Sequence, residues 1–294
     1  MAIQINDIKE YEIFEHLKKQ VHPLAWRFRN DIDEKKALNL KKLNFRRWIY
    51  GKDKNYMEIR DLDFLEKFLN IETLFVEGKN IKSIEGIKHL TKATIIEVMS
   101  NWSGTVDISP IQNCRNLEKL SIDYSIDCIE GESSLNGRIQ GWAALAELQR
   151  MKFLSLIAQE IENLEFLRGM NQLEDLELEE SKVGDLSPLK GKLSLQRLNL
   201  RRCGIHDISA LGTLQNLKVL DIGYNNIDDF SVLSSLSNLE VLVVDRKLSI
   251  EMLQELKGNA FLIEEVIGKP IELSSGQVIE VDEEIIEYFF RRKA

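Results

Sequence analysis

The sequence predicts an α/β repeat solenoid. Three observations predict it: a 22-residue period, a two-period apolar pattern inside each copy, and the composition of a packed globular chain. The period is plainest in LEDLELEESKVGDLSPLKGKLS (173–194), LQRLNLRRCGIHDISALGTLQN (195–216) and LKVLDIGYNNIDDFSVLSSLSN (217–238), which are consecutive and equal in length. Apolar residues recur at unit positions 1, 4, 6, 11, 14 and 17, and usually at 20. Positions 4 and 6 alternate as in a strand. Positions 11, 14, 17 and 20 are three apart, as on one face of a short 3-10 or α turn. A unit of strand, corner, turn and corner cannot bury its apolar face alone, whereas stacked copies can. The expected architecture is a curved horseshoe with a parallel sheet on the concave face, short turns on the convex face and a cap at each end.

The elements follow in chain order. Residues 1–39 supply an N-terminal cap: Ile13, Leu17, Val21 and Leu24 recur at helical spacing, and LAWRFR (24–29) alternates as a flanking strand. Nine repeats fill residues 40–261. The first starts at LKKLNF (40–45) and has an insertion near 49–58. Units at 71–92 and 151–172 have the standard length, and the unit from Ala93 has two extra residues around Trp102–Gly104. The unit from Leu117 has an inserted loop near 125–138, after which Ile139, Trp142, Leu145 and Leu148 resume the helical face. LEVLVV (239–244) begins the ninth unit, with Ile250, Leu253 and Leu256 as its turn. Residues 262–294 form the C-terminal cap. KPIELSSGQVIEV reads as a hairpin turning at Ser274–Gly276, and VDEEIIEYFFRRKA as a helix with acids first and bases last.

The shared pattern L-x-x-L-x-L-x-x-N/C-x-I-x-D-I resembles the leucine-rich repeats of the bacterial, internalin-type 22-residue subclass. The resemblance implies a solenoid that binds a macromolecule. Asn101, Cys203, Asn225 and Ser181 fit unit position 9, where a buried polar group can bond corner backbone. Lys79, Gln159 and Lys247 depart from it, and a broken internal ladder is expected there.

Composition limits the function. The chain has 294 residues, 44% apolar and 30% charged, with a net charge of −9, which disfavours generic nucleic-acid binding. The N-terminus lacks the apolar core of a secretory signal, and no apolar run is long enough to span a bilayer. Three sparse cysteines, Cys114, Cys128 and Cys203, fit a reducing compartment. A cytoplasmic protein is expected. No Walker loop, GxGxxG, HExxH, GxSxG or CxxC is present, and the four histidines are scattered. No enzyme activity, cofactor, metal or small-molecule substrate is expected.

Binding residues follow from geometry. Side chains at positions 3, 5, 7 and 8 face the concave side in rows. Phe75, Ile95, Met99, Tyr124, Phe153 and Ile157 place apolar groups there, with Tyr224 beyond them, as a candidate partner surface unless the caps or the 125–138 loop cover it. Asp175, Glu179 and Glu180 should neighbour Arg197, Arg201 and Arg202. These rows are either an internal ladder of exposed ion pairs or a two-sign stripe that fixes a partner's register. Eleven bases and five acids lie between Arg27 and Arg60, including Arg29, Arg46 and Arg47. The reading is a non-catalytic scaffold that binds another protein, not a membrane, through its concave face. An inhibitor or immunity-type protein neutralising a basic toxin or hydrolase is the alternative, and nucleic-acid binding through the N-terminal bases ranks behind both.

Overall fold

In the repeat from Ile71, Leu74 and Val76 point inward while Thr73, Phe75 and Glu77 alternate outward, and the same alternation organises the sheets of this computed structural model. The structure describes residues 2–3, 11–21, 31–45, 59–78, 80–100, 102, 104–124, 138–161, 163–244, 261–264, 271–272 and 278–279. The side chains of residues 2, 3, 11, 12 and 124, and all those after 244, are outside the description. The expected strand at 24–29, the insertion near 49–58, the inserted loop up to residue 137, the turn at 250–256 and the terminal helix lie outside the described residues. So do Asn101, Lys79, Lys247, Cys128, Arg29, Arg46 and Arg47. The chain divides into two compact units, Met1–Met151 and Lys152–Ala294.

In the first unit, β1 (Ala2–Ile3) pairs antiparallel with β2 (Ile32–Asp33) beside α1 (Tyr11–Val21) and α2 (Glu34–Asn39). β3 (Lys42–Phe45), β4 (Thr73–Gly78), β5 (Ile95–Ser100) and β7 (Lys119–Tyr124) pair in parallel in that order. A smaller parallel pair joins β6 (Thr105–Asp107), which lies between β5 and β7 in sequence, to β8 (Arg138–Gln140), which follows β7. Ile139 therefore sits in a strand and not on the helical face expected of it, although it is buried. Ile13, Phe14, Leu17 and Val21 bury one stripe of α1. The helix also serves the edge of β3. The Gln20 carboxamide donates to Asn44 O and accepts from Asn44 N, both at 3.0 Å, in place of a neighbouring strand. His16 Nε2 meets the same carbonyl at 2.7 Å. Burial holds the His16 pKa below the ordinary histidine value despite that bond, and Lys19 adds to the lowering.

The second unit contains β9 (Phe153–Ser155), β10 (Asp175–Glu177), β11 (Arg197–Asn199), β12 (Val219–Asp221), β13 (Val241–Val244) and β14 (Phe261–Glu264) in one parallel succession. β15 (Ile271–Glu272) and β16 (Val278–Ile279) form an antiparallel pair. Strands β9 to β12 stop at unit position 5, whereas β4, β5 and β7 run to position 8. This changes what position 8 does. At the end of a long strand it points inward, so Gly78 and Ser100 are buried and not concave-facing as the sequence suggested. After the short strands, Ala158, Glu180, Arg202 and Tyr224 adopt positive φ angles of 54–58°. Left-handed backbone costs a non-glycine residue roughly 1–2 kcal/mol. The first three corners are held from the next repeat: Ala158 N donates to Glu179 O, Glu180 N to Arg201 O and Arg202 N to Gly223 O, at 2.9–3.0 Å.

Described helical turns between strands are 3-10, as apolar residues three apart require: Asp63–Lys67, Glu85–His89, Ser109–Asn113 and Trp142–Glu147 in the first unit, and Glu165–Gly169, Ser187–Leu189, Ser209–Thr213 and Ser231–Ser235 in the second. The D of I-x-D-I starts them. Asp107, Asp185, Asp207 and Asp229 each accept from the backbone N–H two residues on, at 2.7–2.8 Å. Bonds from Ser187, Ser209 and Ser231 hold the carboxyls of Asp185, Asp207 and Asp229 below the usual aspartate value.

Position 9 supports the opposite corner. Asn225 Nδ2 donates to Leu200 O at 2.7 Å and Ile222 O at 3.0 Å, while its Oδ1 accepts from Cys203 N and Ile205 N at 3.0 and 3.1 Å. Cys203 Sγ donates to Leu178 O at 2.8 Å. Ser181 Oγ donates to Leu156 O at 2.6 Å and accepts from Gln159 N at 2.9 Å. Gln159 departs from this pattern, as the sequence suggested, in that its side chain serves its own repeat. The next repeat's serine takes its N–H, and its own amide folds back to Ile157 O. Burial pushes the thiols of Cys114 and Cys203 up to about 12, so both are neutral core groups.

One spine position is chemically foreign. Lys192 stands at position 20, where the flanking repeats have Met170 and Leu214. It is 5% exposed and donates to Met170 O at 3.2 Å. Burial lowers its pKa, and Arg168 adds to the lowering. The charge penalty is complete below the depressed folded pKa and fades as pH rises to the ordinary lysine value. Lys192→Met should therefore stabilise the chain at neutral pH by about 1 kcal/mol, or about 2–4 °C in Tm. The gain should shrink at strongly alkaline pH; thermal melts across pH check both parts.

Candidate functional site

The sheet face of each unit is built by the outward positions of successive strands. In the first unit, register sets Thr73 beside Ile95, Phe75 beside Glu97 and Glu77 beside Met99. Ile95 then neighbours Lys119, and Met99 neighbours Asp123. Phe75, Ile95 and Met99 are half-buried, and charged groups interleave them. Lys42 Nζ lies 4.9 Å from the Phe75 ring centroid, and Lys119 pairs with buried Glu97 at 2.9 Å. Tyr124 ends β7 opposite Ser100, with its side chain outside the described residues.

The second unit presents a more ordered face. Phe153 neighbours Asp175, which neighbours Arg197, which neighbours Val219. Arg197 Nε donates to Asp175 Oδ2 at 2.7 Å, and its terminal nitrogen binds the same oxygen. One turn further, Arg201 lies 3.7 Å from Glu179 and 3.8 Å from Asp221, and Arg202 pairs with Glu180 at 2.9 Å. All three pairs fall where the 22-residue register puts them. Arg201 is buried and Arg202 exposed. Phe153 and Ile157 are half-buried beside the acids.

Tyr224 terminates this arrangement. The Arg201 and Arg202 guanidinium carbons lie 4.5 and 4.7 Å from its ring centroid. It is 38% exposed, one of few large apolar side chains so placed among the described residues. Gly223 gives the Asp221 carboxylate room: a Cβ there would meet Asp221 Oδ1 at 3.2 Å. Asp221 Oδ1 also accepts from Gly223 N at 2.8 Å, and Asn199 Oδ1 from Arg201 N at 3.0 Å. These buried position-5 groups make the corner rigid beneath Arg201. As position-5 residues Asn199 and Asp221 are expected from the sequence on the concave face; their burial and supporting role escaped that reading, although their N-x-R and D-x-G spacing, typical of side-chain-capped turns, was visible.

Comparison with known proteins identifies this geometry. The family model for Leucine Rich repeats (2 copies) matches residues 193–235. Internalin C2 from Listeria monocytogenes is similar in structure, with a TM-score of 0.67 and 22% identity, covering 83% of this chain and 97% of that one. An internalin (InlF) from the same organism gives a TM-score of 0.56 at 18% identity, covering 89% of this chain and 86% of the other. The chain has the leucine-rich-repeat fold, and its residues 193–235 match the repeat family itself. The functional domain of InlJ from Listeria monocytogenes, described as including a cysteine ladder, gives a TM-score of 0.54 at 16% identity, covering 87% of this chain and 56% of that one. Position 9 of this chain is a mixed row, with Ser181, Cys203 and Asn225 in successive units. No curated protein gives a significant sequence match. Leucine-rich-repeat proteins generally serve as protein-interaction scaffolds. Among the described residues, no helix is long and apolar enough to cross a membrane, and no cluster of His, Cys, Asp and Glu could hold a metal ion.

Proposed function

We propose that this leucine-rich-repeat chain is a non-catalytic, cytoplasmic scaffold that binds another protein through its sheet face. The observation that carries the reading is Tyr224, exposed at its rim and stacked by Arg201 and Arg202. Tyrosine and arginine supply much of the energy at protein interfaces, and a side chain held in place before binding loses little entropy on contact. Phe153, Ile157 and Arg197 extend the same face, and Phe75, Ile95 and Met99 are the proposed contacts of the first unit. Residues 1–39 and 262–294 are proposed as caps around nine repeats, with β14 adding a strand at the second boundary. A second reading, a protein that neutralises a basic toxin or hydrolase, is favoured by the acids Asp175, Glu177, Glu179, Glu180 and Asp221 outnumbering the arginines beside them.

Affinity capture with mass spectrometry tests the proposal. Tyr224→Ala should weaken capture of the partner by about 2 kcal/mol, some 30-fold, while leaving the circular dichroism spectrum unchanged. Equal capture by the variant would overturn the reading.

A further inference from the structure

Charges on the sheet face of the second unit are sorted by repeat. β10 and its corner carry Asp175, Glu177, Glu179 and Glu180; β11 and its corner carry Arg197, Arg201 and Arg202. Internal stability does not require this sorting. Alternating signs would give the same three cross-strand pairs and avoid like charges along each chain segment. The flanking repeats carry little solvent-facing charge: Phe153, Ser155, Ile157 and Ala158 lie on one side, and Val219, Asp221, Gly223 and Tyr224 on the other, with Asp221 buried against Arg201. What sorting creates is a step in electrostatic potential across one strand spacing, about 4.8 Å. The outer rung of that step reaches solvent, with the side chains of Glu180 and Arg202 37% and 47% exposed. Glu180 engages one nitrogen of the Arg202 guanidinium, which has further N–H donors for an incoming acceptor.

We infer that this face docks a protein segment that sets a Lys or Arg against the β10 acids and an Asp or Glu against the β11 arginines. The sign step fixes the segment's register. The inference rests on the protein-binding reading above and adds the partner's chemistry. Phe153 and Ile157 beside the acids suit the aliphatic stem of the incoming base. The arginines are already neutralised by their neighbours, so the face selects a two-sign partner over a purely anionic one. Complementarity of this kind sets orientation and wrong-partner rejection more than raw affinity.

The test exchanges charges within a rung. Glu180→Arg with Arg202→Glu, and separately Asp175→Arg with Arg197→Asp, keep every cross-strand pair but mix the signs in each column. The second exchange leaves the Tyr224 stack untouched. The probe is a fluorescent peptide with a lysine block joined to a glutamate block, followed by anisotropy with the full chain at low salt. Each exchange should weaken probe binding about tenfold, with Tm changed by no more than about 2–4 °C. A lysine-only peptide should bind less tightly than the two-sign peptide. Unchanged binding to a folded exchange variant, tighter binding of the lysine-only peptide, or no binding to the wild type would overturn the inference. If Tyr224→Ala still weakens partner capture in that event, protein binding stands and only the charge register falls.

Discussion

Replacing Asn225 with alanine should destabilise the chain by about 3–5 kcal/mol, because each buried polar group left without a partner costs about 1–3 kcal/mol. Asn225 is 5% exposed, and its amide serves Leu200 O, Ile222 O, Cys203 N and Ile205 N. Alanine removes all of these bonds, together with the one to Gly223 O. Serine offers a graded comparison. Ser181 already both donates and accepts at the equivalent position, so Asn225→Ser should recover part of the loss. Urea denaturation followed by circular dichroism reads both variants. An alanine variant within about 1 kcal/mol of wild type would mean that the corner satisfies its backbone in another way.

Gly86→Ala should be equally damaging for a steric reason. A Cβ at Gly86 would lie 1.8 Å from Leu62 O and 2.5 Å from Leu62 C, in the backbone of the preceding repeat. Backbone cannot rotate away as a side chain can, so adjacent turns must separate, at a cost of about 3–5 kcal/mol. Gly212 is an internal contrast. Its added Cβ would meet Val232 Cγ2 at 2.6 Å and Ser235 Oγ at 3.1 Å, both movable atoms, so Gly212→Ala should cost clearly less. Hydrogen exchange should show β3 and β4 amides losing protection in the Gly86 variant. Unchanged exchange would refute the close approach.

The repeat was legible because burial repeats at a fixed spacing. Leu176, Leu198 and Leu220 occupy one position in successive units, all fully buried, and the same register brings Asp175 to Arg197. Other features leave no such trace. The pairing of β6 with β8 joins segments separated by a long insertion, where the period is interrupted. Position 8 depends on where a strand stops, which the apolar pattern at positions 4 and 6 does not specify. The clasp of Gln20 on Asn44 is a contact between unlike elements, so no repetition announces it. For the candidate site, the ion pairs and Tyr224 could be placed from register alone. The buried supports Asn199 and Asp221 look in sequence like two more concave polar residues. Their burial appears only once the corner folds back over them.

The side-chain bonds between repeats have a direction. Asn70 and Asn116 in the first unit reach Leu38 O and Thr91 O; Ser181, Cys203, Asn216, Asn225 and Asn238 in the second reach Leu156 O, Leu178 O, Leu193 O, Leu200 O and Gln215 O. In each case a later segment completes an earlier one. For these bonds the two directions of shortening are therefore inequivalent: a cut on the C-terminal side orphans carbonyls in what survives, whereas a cut between repeats on the N-terminal side discards acceptors together with the chain that held them; removal of α1 is the exception, since Gln20 serves the later Asn44.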